Sequence, residues 1–261
     1  MASELVIIER KNGYAVLTLN NPPVNSLSAE LLADLDAALE RIRCEDAIKA
    51  LIIVGAGEKC FSAGANIREF DNPDSVQSNS DKGKFVFFKL EKFPKPIIAA
   101  IQGHAFGGGL ELSLSCHLRM AAEGISLGLP EVKLGIIPGW GGTQRLTRLA
   151  GRTRALEMIL SGDPIDAKQA LDWGIVTRVC PKASLLSEAE SLAERMAHGP
   201  SIAYRAILRA VIEGSETDIE EGLAIEQQGF REAFGSSDAK EGISAFLAKR
   251  SPRFTCVIGS E

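Results

Sequence analysis

Short β-rich runs alternate with helical repeats over the first two thirds of the chain, and this alternation constrains the fold more than any other feature. Leu5–Ile8 and Ala15–Leu19 read as strands joined by an Asn12-Gly13 turn. Ser28 caps an amphipathic helix running to Arg43, and Ala50–Val54 is an apolar strand ending at Gly55. A helix over Lys84–Phe93, a strand over Ile97–Ile101, a helix over Leu110–Cys116 and a strand over Leu118–Ala121 continue the series. A chain that keeps switching period in this way is expected to layer helices on a sheet, an α/β fold.

Past Gly151 the pattern is helical: Arg152–Leu160, Ala167–Trp173, Leu185–Ala197, Ser201–Ile212, Thr217–Phe234 and Ser237–Lys249, with Ile175–Val179 as the one expected strand. The expectation is an α/β core over residues 1–199 and a helical region over 200–261. Asp71–Gly83, rich in Asp, Ser and Asn, reads as a mobile surface loop.

A net charge of −5 lacks the basic footprint of a nucleic-acid binder, so an anionic ligand would depend on local donors. Five cysteines, an odd number with no C-x-x-C pair, argue against a disulfide framework or a zinc site. No apolar run approaches a membrane span, and neither terminus carries a secretory, transit or peroxisomal signal, so the expected compartment is bacterial-type cytoplasm.

Gly124-Ile-Ser126-Leu-Gly128 fits the G-x-S-x-G of serine hydrolases, but that elbow needs a helix after the serine, and Gly128 and Pro130 forbid one. Gly55-Ala-Gly-Glu-Lys59 lacks phosphate-loop spacing, and no G-x-G-x-x-G follows a strand. His104, His117 and His198 have no metal-like spacing and read as structural.

Three segments carry the chemistry. Cys60-Phe-Ser-Ala-Gly-Ala-Asn66-Ile-Arg68 packs small residues after a strand, as a tight loop or helix start would. Gly103-His-Ala-Phe-Gly107-Gly108-Gly109-Leu-Glu111 sets three glycines between a strand and a helix. Backbone N–H groups there would attract developing negative charge, and Glu111 in the first turn could instead satisfy the helix dipole. Leu129-Pro130-Glu131, running on to Pro138-Gly139-Trp140-Gly-Gly-Thr143-Gln-Arg145, puts a carboxylate in an apolar loop, where a plain surface glutamate is the competing reading.

In order and spacing these segments resemble the crotonase, or enoyl-CoA hydratase/isomerase, family, and the likeness runs from Asn21-Pro-Pro-Val-Asn-Ser-Leu27 to Phe254. The resemblance implies a spiral of ββα units with a helical C-terminal trimerisation region, assembled as a homotrimer or a hexamer. It implies hydration of 2-trans-enoyl-CoA in fatty-acid β-oxidation, with no cofactor because coenzyme A is part of the substrate. The backbone amides of Ala65 and Gly108 would form the oxyanion hole. Glu131 would donate a proton to Cα, and Glu111 would hold and activate the water. Ala63, Ala65, Asn66, Ile67 and Arg68 would contact coenzyme A, joined by Phe230 and Lys249 from a neighbouring subunit, with Lys249-Arg250 and Arg253 supplying positive charge. Trp140 would line the acyl pocket together with Phe85, Phe87 and Phe88, with plain core packing as the competing reading for the three phenylalanines. Asn66 stands where aspartate is usual in the family, and Trp140 where a small residue is. A Δ3,Δ2-enoyl-CoA isomerase, which needs one carboxylate, and a non-catalytic acyl-CoA- or RNA-binding protein are the competing readings.

Overall fold

The computed structural model describes residues 4–69 and 73–256. The N-terminal hairpin pairs β1 (Val6–Arg10) with β2 (Tyr14–Leu19). Helix α1 (Ala29–Arg43) follows, and the Ser28 side chain caps it by accepting from the Leu31 amide. The chain then repeats a strand–strand–helix unit. β3 (Ala50–Gly55) and β4 (Cys60–Ser62) precede α2 (Pro73–Glu91). β5 (Ile97–Ile101) and β6 (His104–Phe106) precede α3 (Gly108–Ser115). β7 (Leu118–Ala122) and β8 (Ser126–Gly128) precede α4 (Gly142–Ala150).

The two strands of each unit go to different sheets. One sheet has the order β1-β2-β3-β5-β7-β10, parallel from β2 onward, with β10 (Arg178–Cys180) closing it. The other has the order β4-β6-β8-β9, with β9 (Ile165–Asp166) antiparallel at its edge. The chain therefore winds as a spiral of ββα turns. β3 and β5 are buried along their whole length, as parallel strands covered on both faces must be. Gln102 ties two of the crossings together: its Oε1 accepts from the Gly55 amide at 3.2 Å and its Nε2 donates to the carbonyls of Gly55 and Cys60 at 2.8 and 3.1 Å.

The C-terminal half is helical, as expected: α5 (Arg152–Ser161), α6 (Ala167–Asp172), α7 (Leu185–Ala197), α8 (Ser201–Gly214), α9 (Ile219–Gly235) and α10 (Ser237–Leu247). Gly214 meets Gly222 at one end of the α8–α9 pair and Ala206 meets Gly229 at the other, so the two run antiparallel.

Three expectations change. The whole second sheet escapes the reading of the sequence, because strands of two or three residues show no period. The strand expected at Ile175–Val179 forms at Arg178–Cys180; Ile175 and Val176 are apolar because they are buried, not because they join the ladder. Of the loop expected at Asp71–Gly83, the first two residues lie outside the described residues, and from Pro73 the chain is helix. Pro73 at the helix start has a preset φ and needs no N–H partner. Gly83, Val86, Phe87 and Leu90 bury one stripe at helical spacing, and this packing outweighs the polar composition.

Helix α3 has no exposed residue. Its C-terminal carbonyls cannot reach water, and Arg119 on β7 serves them instead. The Arg119 guanidinium donates to Cys116, Ser113 and Leu114 oxygens at 2.5, 3.2 and 3.4 Å, and its Nε to Ile175 oxygen at 2.7 Å. A buried cation is favourable here because it faces the negative end of the helix dipole. Arg119→Met strips several buried acceptors of their donor at once, each worth about 1–3 kcal/mol. We expect a loss of at least about 3 kcal/mol in denaturant unfolding, with Arg119→Lys in between.

Candidate active site

The ββα turns bring the three chemistry-bearing segments to one cleft. A cavity of about 260 Å³ is lined by Ala63, Ala65 and Ile67 after β4, Gly107, Gly108 and Glu111 at the start of α3, and Glu131 and Trp140 beyond β8. Ser80, Pro130, Leu134, Ile136, Ile137 and Gly139 complete its wall, six residues that the sequence reading did not assign to the pocket.

The two amides named from the sequence converge. A Cβ on Gly108 would stand 3.3 Å from the Ala65 nitrogen, so the two peptide groups are neighbours. Among the described residues neither N–H has a hydrogen-bond acceptor. The Gly108 amide opens α3, where the first N–H groups of a helix are free and the dipole is positive. Gly107 is glycine for a backbone reason: its φ is +52°, and a Cβ there would stand 3.0 Å from Glu131 Oε1.

Glu111 does not cap its own helix. Its Oε1 accepts from the Trp140 amide at 2.8 Å and the Gly142 amide at 2.7 Å. Gly142 begins α4, whose cap residue Gly141 offers no side chain, so the Glu111 carboxyl is the N-terminal cap of a helix that starts 31 residues later. The side chain is only 2 % exposed. Burial pushes its pKa up to about 7, and the neighbouring Glu131 adds to the rise against the pull of the two amides and of Arg145. Glu131 sits on a 3-10 turn, Pro130–Leu134. Burial also raises its pKa, and among the described residues its buried Oε2 has no hydrogen-bond partner.

The other expected site residues divide. Asn66 and Arg68 do not line the cavity: Asn66 donates to Glu69 Oε1 at 2.9 Å, and Arg68 is exposed on the 3-10 turn Ile67–Glu69. Phe85 and Phe88 do not line this cavity but an adjoining groove, with Pro138, Thr143 and Arg145, that shares Ser80, Ile137, Gly139 and Trp140 with it. It is Phe87, between them, that meets the Trp140 ring edge-on at 5.5 Å. Phe230 on α9 and Lys249 after α10 are exposed and line neither cavity. Arg250 is paired with Glu241, both nitrogens within 2.8 Å, so less free positive charge stands there than the sequence suggests.

The histidines are engaged with the backbone. His104 Nδ1 accepts from the Ser126 amide, His117 sits between the Ile97 amide and the Glu91 carbonyl, and His198 contacts the Glu194 carbonyl. Ser126 lies on β8, with no nucleophile elbow. Among the described residues no cluster of three or more His, Cys, Asp or Glu could hold a metal ion.

The raised pKa of Glu111 has a consequence for stability. A carboxyl that holds its proton more tightly folded than unfolded contributes stability below its unfolded pKa and loses it as pH rises through the folded one. From about 4.5 to about 7 the cost of burying this charge grows to about 3 kcal/mol. Glu111→Gln removes that dependence. Its unfolding midpoint is expected to gain on the parent between pH 5 and pH 8, which thermal melts across the range will measure.

Comparison with known proteins places nearly the whole chain in one family. The profile of the family "Enoyl-CoA hydratase/isomerase" matches residues 9–256. The chain is 45% identical to a "Probable enoyl-CoA hydratase" of Bacillus subtilis, covering 92% of this chain and 94% of that protein. It is 39% identical to the "Crotonyl-CoA hydratase" of Syntrophomonas wolfei, covering 97% and 99%. The crystal structure of an enoyl-CoA hydratase from Bacillus anthracis superposes with a TM-score of 0.93 at 39% identity, covering 96% of this chain and 98% of that one. With its two-sheet ββα spiral, its helical C-terminal half and a family match over nearly its whole length, the chain belongs to the enoyl-CoA hydratase/isomerase family, the crotonase fold.

Proposed function

We propose that the protein is an enoyl-CoA hydratase, adding water across the double bond of a 2-trans-enoyl-CoA to give the 3-hydroxyacyl-CoA, the hydration step of fatty-acid β-oxidation. The observation that carries this reading is one buried and one half-buried carboxyl, both of raised pKa, in the same cleft as two unpaired amides.

The thioester carbonyl oxygen accepts from the amides of Ala65 and Gly108. As water adds at Cβ, the alkene electrons move onto that oxygen as an enolate, and fixed donors favour the developing charge. Losing one such donor costs about 3–4 kcal/mol of transition-state stabilisation. Glu111, held by the amides of Trp140 and Gly142, takes a proton from the attacking water. Glu131 gives a proton to Cα as the enolate collapses. Two carboxyls in one dry cleft resist ionising together, so one charged and one protonated is the state such a site favours. The proton that Glu111 gains returns to Glu131 to complete the cycle. No cofactor is called for, since coenzyme A belongs to the substrate.

Ala63 and Ile67 at the cavity mouth, with Asn66 and Arg68 beside them, are assigned to coenzyme A, and Trp140 to the acyl pocket with Phe85 and Phe88 beyond it. Phe230 and Lys249 are assigned to the nucleotide end of a neighbouring subunit's substrate, since neither reaches the cavity of its own chain. Residues 200–261 form the trimerisation region, singly or as a pair of trimers. In support, Ile219, Leu223, Phe230, Phe234, Phe246 and Leu247 leave an exposed apolar face on α9 and α10. A cytoplasmic location belongs to the same reading and is supported by five cysteines that all stand as free thiols.

Hydration removes the conjugated absorbance of crotonyl-CoA, so a spectrophotometric assay tests the proposal directly. Absorbance that persists while a 3-enoyl-CoA is converted would show an isomerase instead. Glu111→Gln and Glu131→Gln are each expected to cut turnover by about 10²–10⁴ while a saturated acyl-CoA still binds. Sedimentation is expected to give three or six copies, and a monomer at assay concentration would refute the assembly.

A further inference from the structure

Arg145 lies in the first turn and a half of α4 and folds back toward that helix's N-terminus. A cation there opposes the helix dipole, so it needs compensation. Glu91, the last residue of α2, provides it: its Oε2 accepts from Arg145 Nε at 3.1 Å and Nη2 at 2.8 Å. The third arm, Nη1, donates to the Trp140 carbonyl at 2.8 Å. The amide of that same Trp140 holds Glu111 Oε1, and the Gly142 amide holds it from the other side.

Two adjacent glycines make room for the two partners. Gly141 has φ +104°, and a Cβ there would lie 2.2 Å from Arg145 Nη1. A Cβ on Gly142 would lie 3.0 Å from Glu111 Cγ and Oε1. One glycine admits the guanidinium, the next admits the carboxyl, and the peptide groups between them join the two.

We propose that Arg145, anchored by Glu91, is a positioning residue that holds the Trp140–Gly142 peptides and thereby fixes the direction of the Glu111 carboxyl. The charged groups facing Glu111 are Glu131 from the 3-10 turn and Arg145 from α4, with Glu91 of α2 acting through Arg145. Removing the arginine frees the loop and deletes a positive charge. Removing the Glu91 charge leaves an acceptor in place but exposes Glu111 to an unneutralised arginine. The two changes therefore move the ionisation of Glu111 in opposite directions, while a loss of kcat at little-changed KM reports the direction of the carboxyl.

The kinetic half of the test rests on the hydratase reading; the stability half does not. Arg145→Met, Arg145→Lys and Glu91→Gln are made with and without Glu111→Gln. For crotonyl-CoA hydration, Arg145→Met is expected to lower kcat by roughly a hundredfold with KM little changed, as misdirected catalytic groups do. Arg145→Lys keeps the charge without the fork, and is expected to lower kcat while leaving the pH profile near the parent's. The pH at which the melting difference between each protein and its Glu111→Gln partner develops reports the ionisation of Glu111. It is expected to rise in Arg145→Met and fall in Glu91→Gln. Normal kcat in folded Arg145→Met, or an ionisation pH that stays put in both variants, overturns the inference. If Arg145→Met does not fold, Arg145→Lys and Glu91→Gln decide by the same two readouts. If the parent hydrates no enoyl-CoA, the hydratase reading falls, and the melting series alone decides the role of Arg145.

Discussion

The cleft depends on one buried contact: a carboxyl on α3 accepting two backbone hydrogen bonds from the start of α4. An ionisable group shut away from water is costly unless its surroundings share the charge. Here burial and the neighbouring Glu131 push the Glu111 proton on, while two amides and the Arg145 guanidinium pull it off. The balance falls near neutral pH, which is where a group that must both accept and release a proton is useful. The same contact fastens α4 to α3, so the carboxyl proposed as an acid–base group is also a structural joint.

The rest of the fold serves that joint. Each ββα turn crosses from the long sheet to the short one, and the short sheet delivers β4, β6 and β8 side by side at the cleft. The loop after β4 carries Ala65, the helix start after β6 carries Gly108, and the 3-10 turn after β8 carries Glu131. Three segments far apart in sequence thus meet through adjacent strands of a small sheet. Arg119 secures the far end of α3, so that helix is fixed at both ends: by Glu111 against α4 and by the guanidinium against its own last carbonyls.

Much of this could be read from the residues. The long strands and most of the helices show their periods plainly, and the glycine triplet with Glu111 marks the start of α3 in the sequence as in the structure. The second sheet could not be read, because Cys60–Ser62, His104–Phe106 and Ser126–Gly128 are too short to alternate. Helix α4 was hidden too, since it opens on glycine and its cap is contributed by a side chain from α3. That long-range capping is why Glu111 looked like a residue serving its own helix. Arg145 stood inside a quoted motif and Glu91 outside any, and nothing local in the sequence brings them within 2.8 Å. The polar stretch after Pro73 misled for the opposite reason: its composition suits a loop, while the helix it opens continues into a stripe, Gly83, Val86, Phe87 and Leu90, buried at helical spacing.

The two acids rest on supports of opposite character. Every residue of α3 is buried, whereas the 3-10 turn that carries Glu131 has no buried residue at all. Amides in a wholly enclosed helix exchange with solvent only when a large part of the molecule opens, and those of an exposed single turn exchange through small local excursions. One carboxyl is therefore clamped to an enclosed helix while the other rides on a solvent-facing turn. Within one cleft the two carboxyls thus stand on supports of unequal protection, with the amides of α3 expected to exchange more slowly than those of the turn.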